Sequence, residues 1–317
     1  MSSLPERRLM AKIAHLYYET GYKQSQIADQ LDISQASVSR LLKRAEDEDI
    51  VHVTVSMPAG VYSELEETIQ QRYSLKEVIV ADCAQDDDAY ILRALGAAAA
   101  FYIENTLKRN EVVGISSWSS TLLQMVDAMR STNRKLNTQV VQILGGIGNP
   151  SAQTHATRLT ERLANLLNAE THFLPAPGVV GSVEAQHVLL DDPFVKETAA
   201  KFDAVTLALV GIGSIEPSKL LASSGNVFQE NELELLRNAG AVGDICLRFF
   251  DETGCPTPNA LHERVIGISL NQLGKVERSV GIAGGERKVS AIRGAMEGRW
   301  INILITDRFT ANRLLAT

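Results

Sequence analysis

Gln35, Ala36, Ser37, Ser39, Arg40, Lys43 and Arg44 fall close together in a stretch whose apolar residues repeat at helical spacing. On a helix that buries Val38, Leu41, Leu42 and Ala45 along one face, these residues project outward. Short polar side chains near a helix start can approach base edges, and basic side chains further along reach bases or phosphates. A second set could bind a small anion. Ser116, Ser119, Ser120 and Thr121 lie in SSWSST (116–121), and Gly145, Gly146 and Gly148 lie in GGIG (145–148). GIGS (211–214) and GGERK (284–288) are of the same kind. Glycine lets the backbone turn its N–H groups toward a ligand, and a following helix start adds a partial positive charge, which suits phosphate. Each such loop alone is ordinary strand-to-helix geometry; several at one sheet edge point to an anionic ligand. Lys288 in the first turn of a helix opposes the helix dipole, so it reads as an anion contact. Asp244, after Gly243 at the head of a strand, could accept bonds from sugar hydroxyls, and so could Glu216. Asp307 reads instead as the cap of a last helix, 308–315.

Catalytic and metal chemistry find no such support. His155, His172 and His187 have no metal-ligand spacing, and no Ser/His/Asp or Cys/His set is evident. Leu144, not an amine, precedes the first glycine pair, so that position offers no Schiff-base nucleophile. No cofactor, no metal and no catalytic residue is expected.

The elements that must hold the basic face form a helix-turn-helix over 24–45. The first helix runs from Gln24 to about Leu31, with Ile27, Ala28 and Leu31 inward. Asp32, Ile33 and Ser34 make the turn, and Ser34 is a good N-cap for the helix beginning at Gln35. An amphipathic helix precedes, with Leu9, Ile13, Leu16 and Tyr17 on one face. A strand with Val51, Val53 and Val55 alternating follows and suits a wing. The expected organisation is a winged helix-turn-helix at 1–56, a linker helix within 57–74 and a ligand domain at 75–317.

In that last segment, strands at 78–81, 112–116, 139–144, 204–210, 245–250, 264–270, 280–283 and 300–306 alternate with helices, among them one near 86–108 and one near 151–167. Several are continuous apolar runs, as expected of parallel strands covered on both faces. The fold class is α/β: a doubly wound, Rossmann-like sheet whose ligand would lie beyond the carboxyl ends of the strands.

The chain has 317 residues, 45% of them hydrophobic, enough for two cored domains. No apolar run approaches the ~20 residues that span a bilayer, and MSSLPERRLMAK has no signal-peptide character. Cys83, Cys246 and Cys255, an odd and sparse set, fit a reducing cytoplasm. The net charge of −7 hides an asymmetry: residues 1–45 hold seven Lys/Arg against four Asp/Glu, so a head of +3 sits on a body of −10. A basic head on an acidic body fits a nucleic-acid module joined to a domain with another task.

The chain resembles the SorC family of bacterial sugar-binding transcriptional regulators, often grouped with DeoR-type regulators, over nearly its whole length. The matching segments are YYETGYKQSQIADQLDISQASVSRLLKRA in the head and, in the body, VVGISSWSSTL, LPAPGVV, LVGIGS, GAVGDICLRFFD and RVIGISL…VGIAGGERKVSAIRGAMEGRWINILITD. The resemblance implies a body like glucosamine-phosphate isomerases and CoA transferases, used for sensing. It implies an effector, a sugar phosphate, sugar or polyol, that alters binding to double-stranded operator DNA, and homodimers or homotetramers with no membrane partner. It implies that residues 116–121, 145–148, Asp244 and Lys288 border the effector. One departure concerns the loop tryptophan: many members follow it with Gly and often Arg, whereas Ser119 and Ser120 follow Trp118 here. The rival readings are a sugar-phosphate isomerase or hydrolase with a regulatory head, and a DNA-binding scaffold with a vestigial pocket.

Overall fold

The computed structural model describes residues 3–51, 58, 60–132, 136–257 and 260–316. The chain divides into two units, Met1–Pro58 and Ala59–Thr317, each with its own core. The strand expected to form a wing, with Val53 and Val55, lies outside the described residues.

The head consists of α1 (Leu4–Ala14), α2 (Gln24–Leu31) and α3 (Gln35–Asp47). Met10, Ile13, Ile27, Val38, Leu42 and Ala45 make its core, with Ala28 buried between helices. Asp32 ends α2 in the left-handed conformation at φ 53°, and the chain reverses there. Tyr17, expected on the inward face of the first helix, is exposed, whereas Met10 is fully buried. The cause is local: His15–Glu19 form a π turn, which breaks the 3.6-residue period beyond Ala14.

The body begins with α4 (Ser63–Tyr73), the expected linker helix. It packs on the body: Ile69 and Tyr73 join its core, and the Tyr73 hydroxyl donates to the Leu314 carbonyl. There follow β1 (Glu77–Ala81), α5 (Asp88–Thr106), β2 (Val112–Ile115), α6 (Ser120–Ala128), β3 (Gln139–Gln142), α7 (Pro150–Leu167) and β4 (Glu170–His172). Next are α8 (Val183–Asp191), α9 (Pro193–Ala199), β5 (Leu207–Gly211), β6 (Gly213–Ser214), α10 (Lys219–Ser224) and α11 (Glu230–Asn238). The chain ends with β7 (Gly243–Ile245), β8 (Arg248–Phe250), α12 (Leu270–Leu273), β9 (Arg278–Ile282), α13 (Val289–Glu297), β10 (Ile303–Asp307) and α14 (Arg308–Leu315).

Seven strands form a parallel sheet in the order β1-β10-β9-β5-β2-β3-β4. Both faces are covered. Ala208 and Val210 pack into one core, Leu207 and Leu209 into the other, as the two-residue period of a strand requires. From β2 the chain moves outward to β3 and β4, then returns to β5 on the other side of β2. The carboxyl ends of β2 and β5 therefore flank a topological switch point, where open α/β sheets bind ligands.

Two expected strands are absent from this sheet. Residues 245–250 are split into β7 and β8, an antiparallel hairpin joined to β6. Residues 264–270 form no continuous strand: they make isolated bridges, Val265 to Val179 and Gly267 to Leu144, before α12 begins. Both runs are apolar because they lie in the core under loops, a burial that sequence alone does not separate from a strand.

Candidate functional site

On α3, the Ser34 hydroxyl accepts from the Ser37 N–H at 3.1 Å, capping the helix. Gln35, Ala36, Ser39, Arg40 and Lys43 are exposed; Ser37 and Arg44 are half-buried. Arg40 lies back along its own helix, Nε donating to the Ala36 carbonyl and Nη2 to the Ser37 hydroxyl. Arg44 is engaged within the head by Glu6 and Glu48, so Lys43 is the more available cation.

The body carries a cleft of about 200 Å³ at the carboxyl ends of β2 and β5. Ser116, Ser119, Ser120, Thr121, Asp244 and Lys288 all line it, together with Glu216. Ser119 caps α6, its hydroxyl accepting from the Leu122 N–H at 3.3 Å, while its carbonyl takes the Leu123 N–H. The Ser120 and Thr121 N–H groups stand at the helix start, where no intrahelical acceptor exists. The Ser119 side chain is accommodated because residue 211 is glycine: a Cβ there would meet Ser119 Oγ at 2.7 Å.

Gly145, Gly146 and Gly148 do not line the cleft. A Cβ on Gly145 would lie 2.1 Å from the Pro177 carbonyl oxygen, one on Gly146 2.2 Å from Gln142 Nε2, and one on Gly148 2.4 Å from the Ser224 carbonyl oxygen. These glycines serve close packing. Their loop does hold up the 116–121 loop: the Ser117 hydroxyl donates to the Leu144 carbonyl and Trp118 Nε1 to the Gly145 carbonyl. Gln142 joins this network by donating to Ser117 and accepting from the Leu174 N–H.

Asp244 sits on β7 with its Oδ2 accepting from the Leu247 N–H at 2.9 Å. Burial pushes its carboxyl up to about 6, opposed by that bond and by the charge of Lys288. Burial likewise lowers the Lys288 ammonium, with Asp244 acting the other way. Cys246 and Leu247 make the two-residue turn between β7 and β8, with φ 53° and 62°. Positive φ at both positions is the type I′ hairpin pattern, which ordinarily selects Asn or Gly, so two apolar side chains are held here in a sparsely populated conformation at the cleft wall. Burial drives the Cys246 thiol up to about 12, so it is no nucleophile at neutral pH.

Trp118, Ser214 and Arg287, within the loops 116–121, 211–214 and 284–288 singled out above, also line the cleft. Ser218, Lys219, Cys246 and Leu247 line it as well and were not expected to, since that depends on where segments 215–221 and 245–248 fold.

A helix-turn-helix unit and a parallel α/β unit with a polar cleft at its switch point define an effector-responsive transcriptional regulator. Family comparisons carry this further: residues 58–316 match the Sugar-bind family of sugar-binding domains, and residues 4–51 match a homeodomain-like helix-turn-helix family. The chain belongs to the SorC family of sugar-binding transcriptional regulators. It is 34% identical to the deoxyribonucleoside regulator of Bacillus subtilis, with 98% of each chain covered. It is 32% identical to the sorbitol operon regulator of Klebsiella pneumoniae, covering 99% of this chain and all of that one. The crystal structure of that full-length Klebsiella regulator superimposes with a TM-score of 0.73 over 98% of this chain and 99% of its own. No described helix is long and apolar enough to cross a membrane.

Proposed function

We propose that the chain regulates transcription of genes for carbohydrate or polyol use by binding a phosphorylated sugar or polyol in the cleft of its body. The observation that carries this is the grouping of two uncommitted N–H donors, from Ser120 and Thr121, with the Lys288 ammonium in one cleft. Backbone donors at a helix start plus one ammonium bind an anion. Asp244 and Glu216 in the same cleft are acceptors for hydroxyls. The compounds in the names of two relatives, a sorbitol operon regulator and a deoxyribonucleoside regulator, are polyhydroxylated or give rise to sugars, which agrees with this donor and acceptor set.

Operator contact falls to α3, with Ser37, Arg40 and Lys43 on the reading face and Gln35, Ala36 and Ser39 beside them. A head this small has limited specificity alone, so the protein acts as a homo-oligomer placing two heads about one DNA turn (~34 Å) or a multiple apart. It works in the cytoplasm. The cleft is read as a sensor site rather than an active site because the chain's relatives are transcriptional regulators.

The test is a thermal-shift screen of sugars, polyols and their phosphates, followed by operator gel shifts with each ligand that stabilises the protein. A ligand that binds only the folded state at a hundred times its Kd adds ~2.7 kcal/mol. Lys288→Ala is expected to abolish the response while operator binding persists. Turnover of a sugar phosphate, or a response that survives Lys288→Ala, overturns the reading.

A further inference from the structure

Three helices, α5, α6 and α7, lie on one face of the sheet and share its core, with α6 in contact with both of the others. The two outer helices differ in what they turn away from that core. On α7 the exposed residues are Thr157, Arg158, Glu161, Arg162 and Asn165, the polar face of a helix that meets water. On α5 the outward line is apolar. Tyr90, Ala94, Ala97 and Phe101 recur at steps of four, three and four residues, which sets them in one row along the helix. Ala97 is exposed and Ala94 half-buried, while Tyr90 is 42% and Phe101 70% exposed.

The inward side of α5 is already packed. Ile91, Leu95, Ala99 and Ile103 belong to the core, and a Cβ on Gly96 would meet the Gln124 Cβ of α6 at 2.8 Å. The helix is therefore apolar on both sides, the pattern of a helix that is covered on both.

The row has the chemistry of a contact with itself. Its middle, Ala94 and Ala97, is low, and small residues let two helix axes approach to about 8 Å. Its ends carry opposite charge. Arg93 stands at one end, its guanidinium 5.9 Å from the Tyr90 ring centroid. Glu104, which also accepts from the Arg130 N–H, stands at the other. A two-fold axis near Ala97 would run two copies of α5 antiparallel. Phe101 of each copy then covers the Ala94–Ala97 hollow of the other, and Arg93 of each approaches Glu104 of the other. An isologous contact requires this reciprocity, in which i meets j and j meets i. A parallel pair would set Arg93 against Arg93 and Glu104 against Glu104.

We infer that the outer face of α5 is an interface between two copies of this chain, packed as an antiparallel helix pair. This rests on the homo-oligomer reading above and gives it a surface.

The test is the sedimentation mass of the full-length chain over a range of concentrations. Phe101→Asp buries a charge in the middle of the pair and is expected to halve the mass of the assembly. Its urea unfolding should be as cooperative as that of the parent, because Phe101 lies outside the core. Arg93→Glu and Glu104→Arg, made singly, set like charges together and are expected to raise the dissociation constant at least about tenfold. Made together they restore opposite pairing, and the constant should return to within about threefold of the parent. These reversals decide independently of Phe101→Asp. An unchanged mass in a folded Phe101→Asp, or a double reversal no tighter than the single ones, overturns the inference and leaves the homo-oligomer reading in place. A parent chain that sediments as a monomer at every concentration overturns both.

Discussion

Gly213 lies directly against Asp244: a Cβ on Gly213 would come within 2.1 Å of Asp244 Oδ1. The pair is fixed by the antiparallel register of β6 and β7, which places the two residues opposite each other. An acid in this position accepts from the Leu247 N–H, its one hydrogen bond among the described residues, and its other oxygen depends on the absence of a side chain across the ladder.

Gly213→Ala is therefore expected to displace the Asp244 carboxylate and abolish the effector response, with operator affinity unchanged. Effector titration in a gel shift reads both. A normal response in this variant would mean that Asp244 is not positioned by its neighbour.

Asp244 also predicts a pH dependence. Its carboxyl is raised from 3.8 to about 6 by burial. Below 3.8 the group is protonated in both folded and unfolded chains and costs nothing. Between 3.8 and about 6 the unfolded chain ionises first, so stability falls as pH rises, and above 6 the loss is complete, up to about 3 kcal/mol. Asp244→Asn should remove this loss. Urea unfolding without effector is expected to show the variant gaining on the parent chain between pH 4 and pH 8; a pH-independent difference would refute the assignment.

On the head, Lys43 and Arg44 should behave differently. Arg44 is already engaged by Glu6 and Glu48, whereas Lys43 is exposed. Lys43→Ala is expected to weaken binding to all sequences alike and to lower the salt slope by about 0.9. Arg44→Ala should change that slope little. Arg40→Ala should relax specificity at one base position at a cost of about 1–3 kcal/mol. Binding isotherms at several salt concentrations on operator and random DNA distinguish the three.

The ion pair between Arg278 and Glu111 is nearly inaccessible to solvent, with side chains 9% and 6% exposed, and Thr106 also accepts from Arg278. Glu111→Gln leaves a buried guanidinium without its counter-charge, and about 3–5 kcal/mol of stability should be lost in urea unfolding. Replacing both partners by apolar residues of similar volume should recover much of it. A small effect of Glu111→Gln alone would show that water reaches the pair.

What local sequence determined here is what short-range physics controls. Ser34 caps α3 because its hydroxyl reaches the Ser37 N–H three residues on, and Asp307 caps α14 in the same way through Phe309 and Thr310. The parallel strands were legible because two covered faces demand continuous apolar runs such as Leu207–Gly211. Ser116, Ser119, Ser120, Thr121 and Lys288 could be singled out because strand-to-helix loops in this architecture meet at one edge, and Asp244 as an acid following a glycine at the head of a strand. Tertiary packing decided the rest. Gly145, Gly146 and Gly148 look like a phosphate loop, yet they lie outside the cleft lining, and the carbonyls of Pro177 and Ser224 and the Gln142 amide fill the space a Cβ would need. Residues 245–250 read as one strand, yet Cys246 and Leu247 turn left-handed and fold them into a hairpin. Apolar content reports burial but not the partner, and partners distant in sequence settle whether a glycine faces a ligand or another backbone.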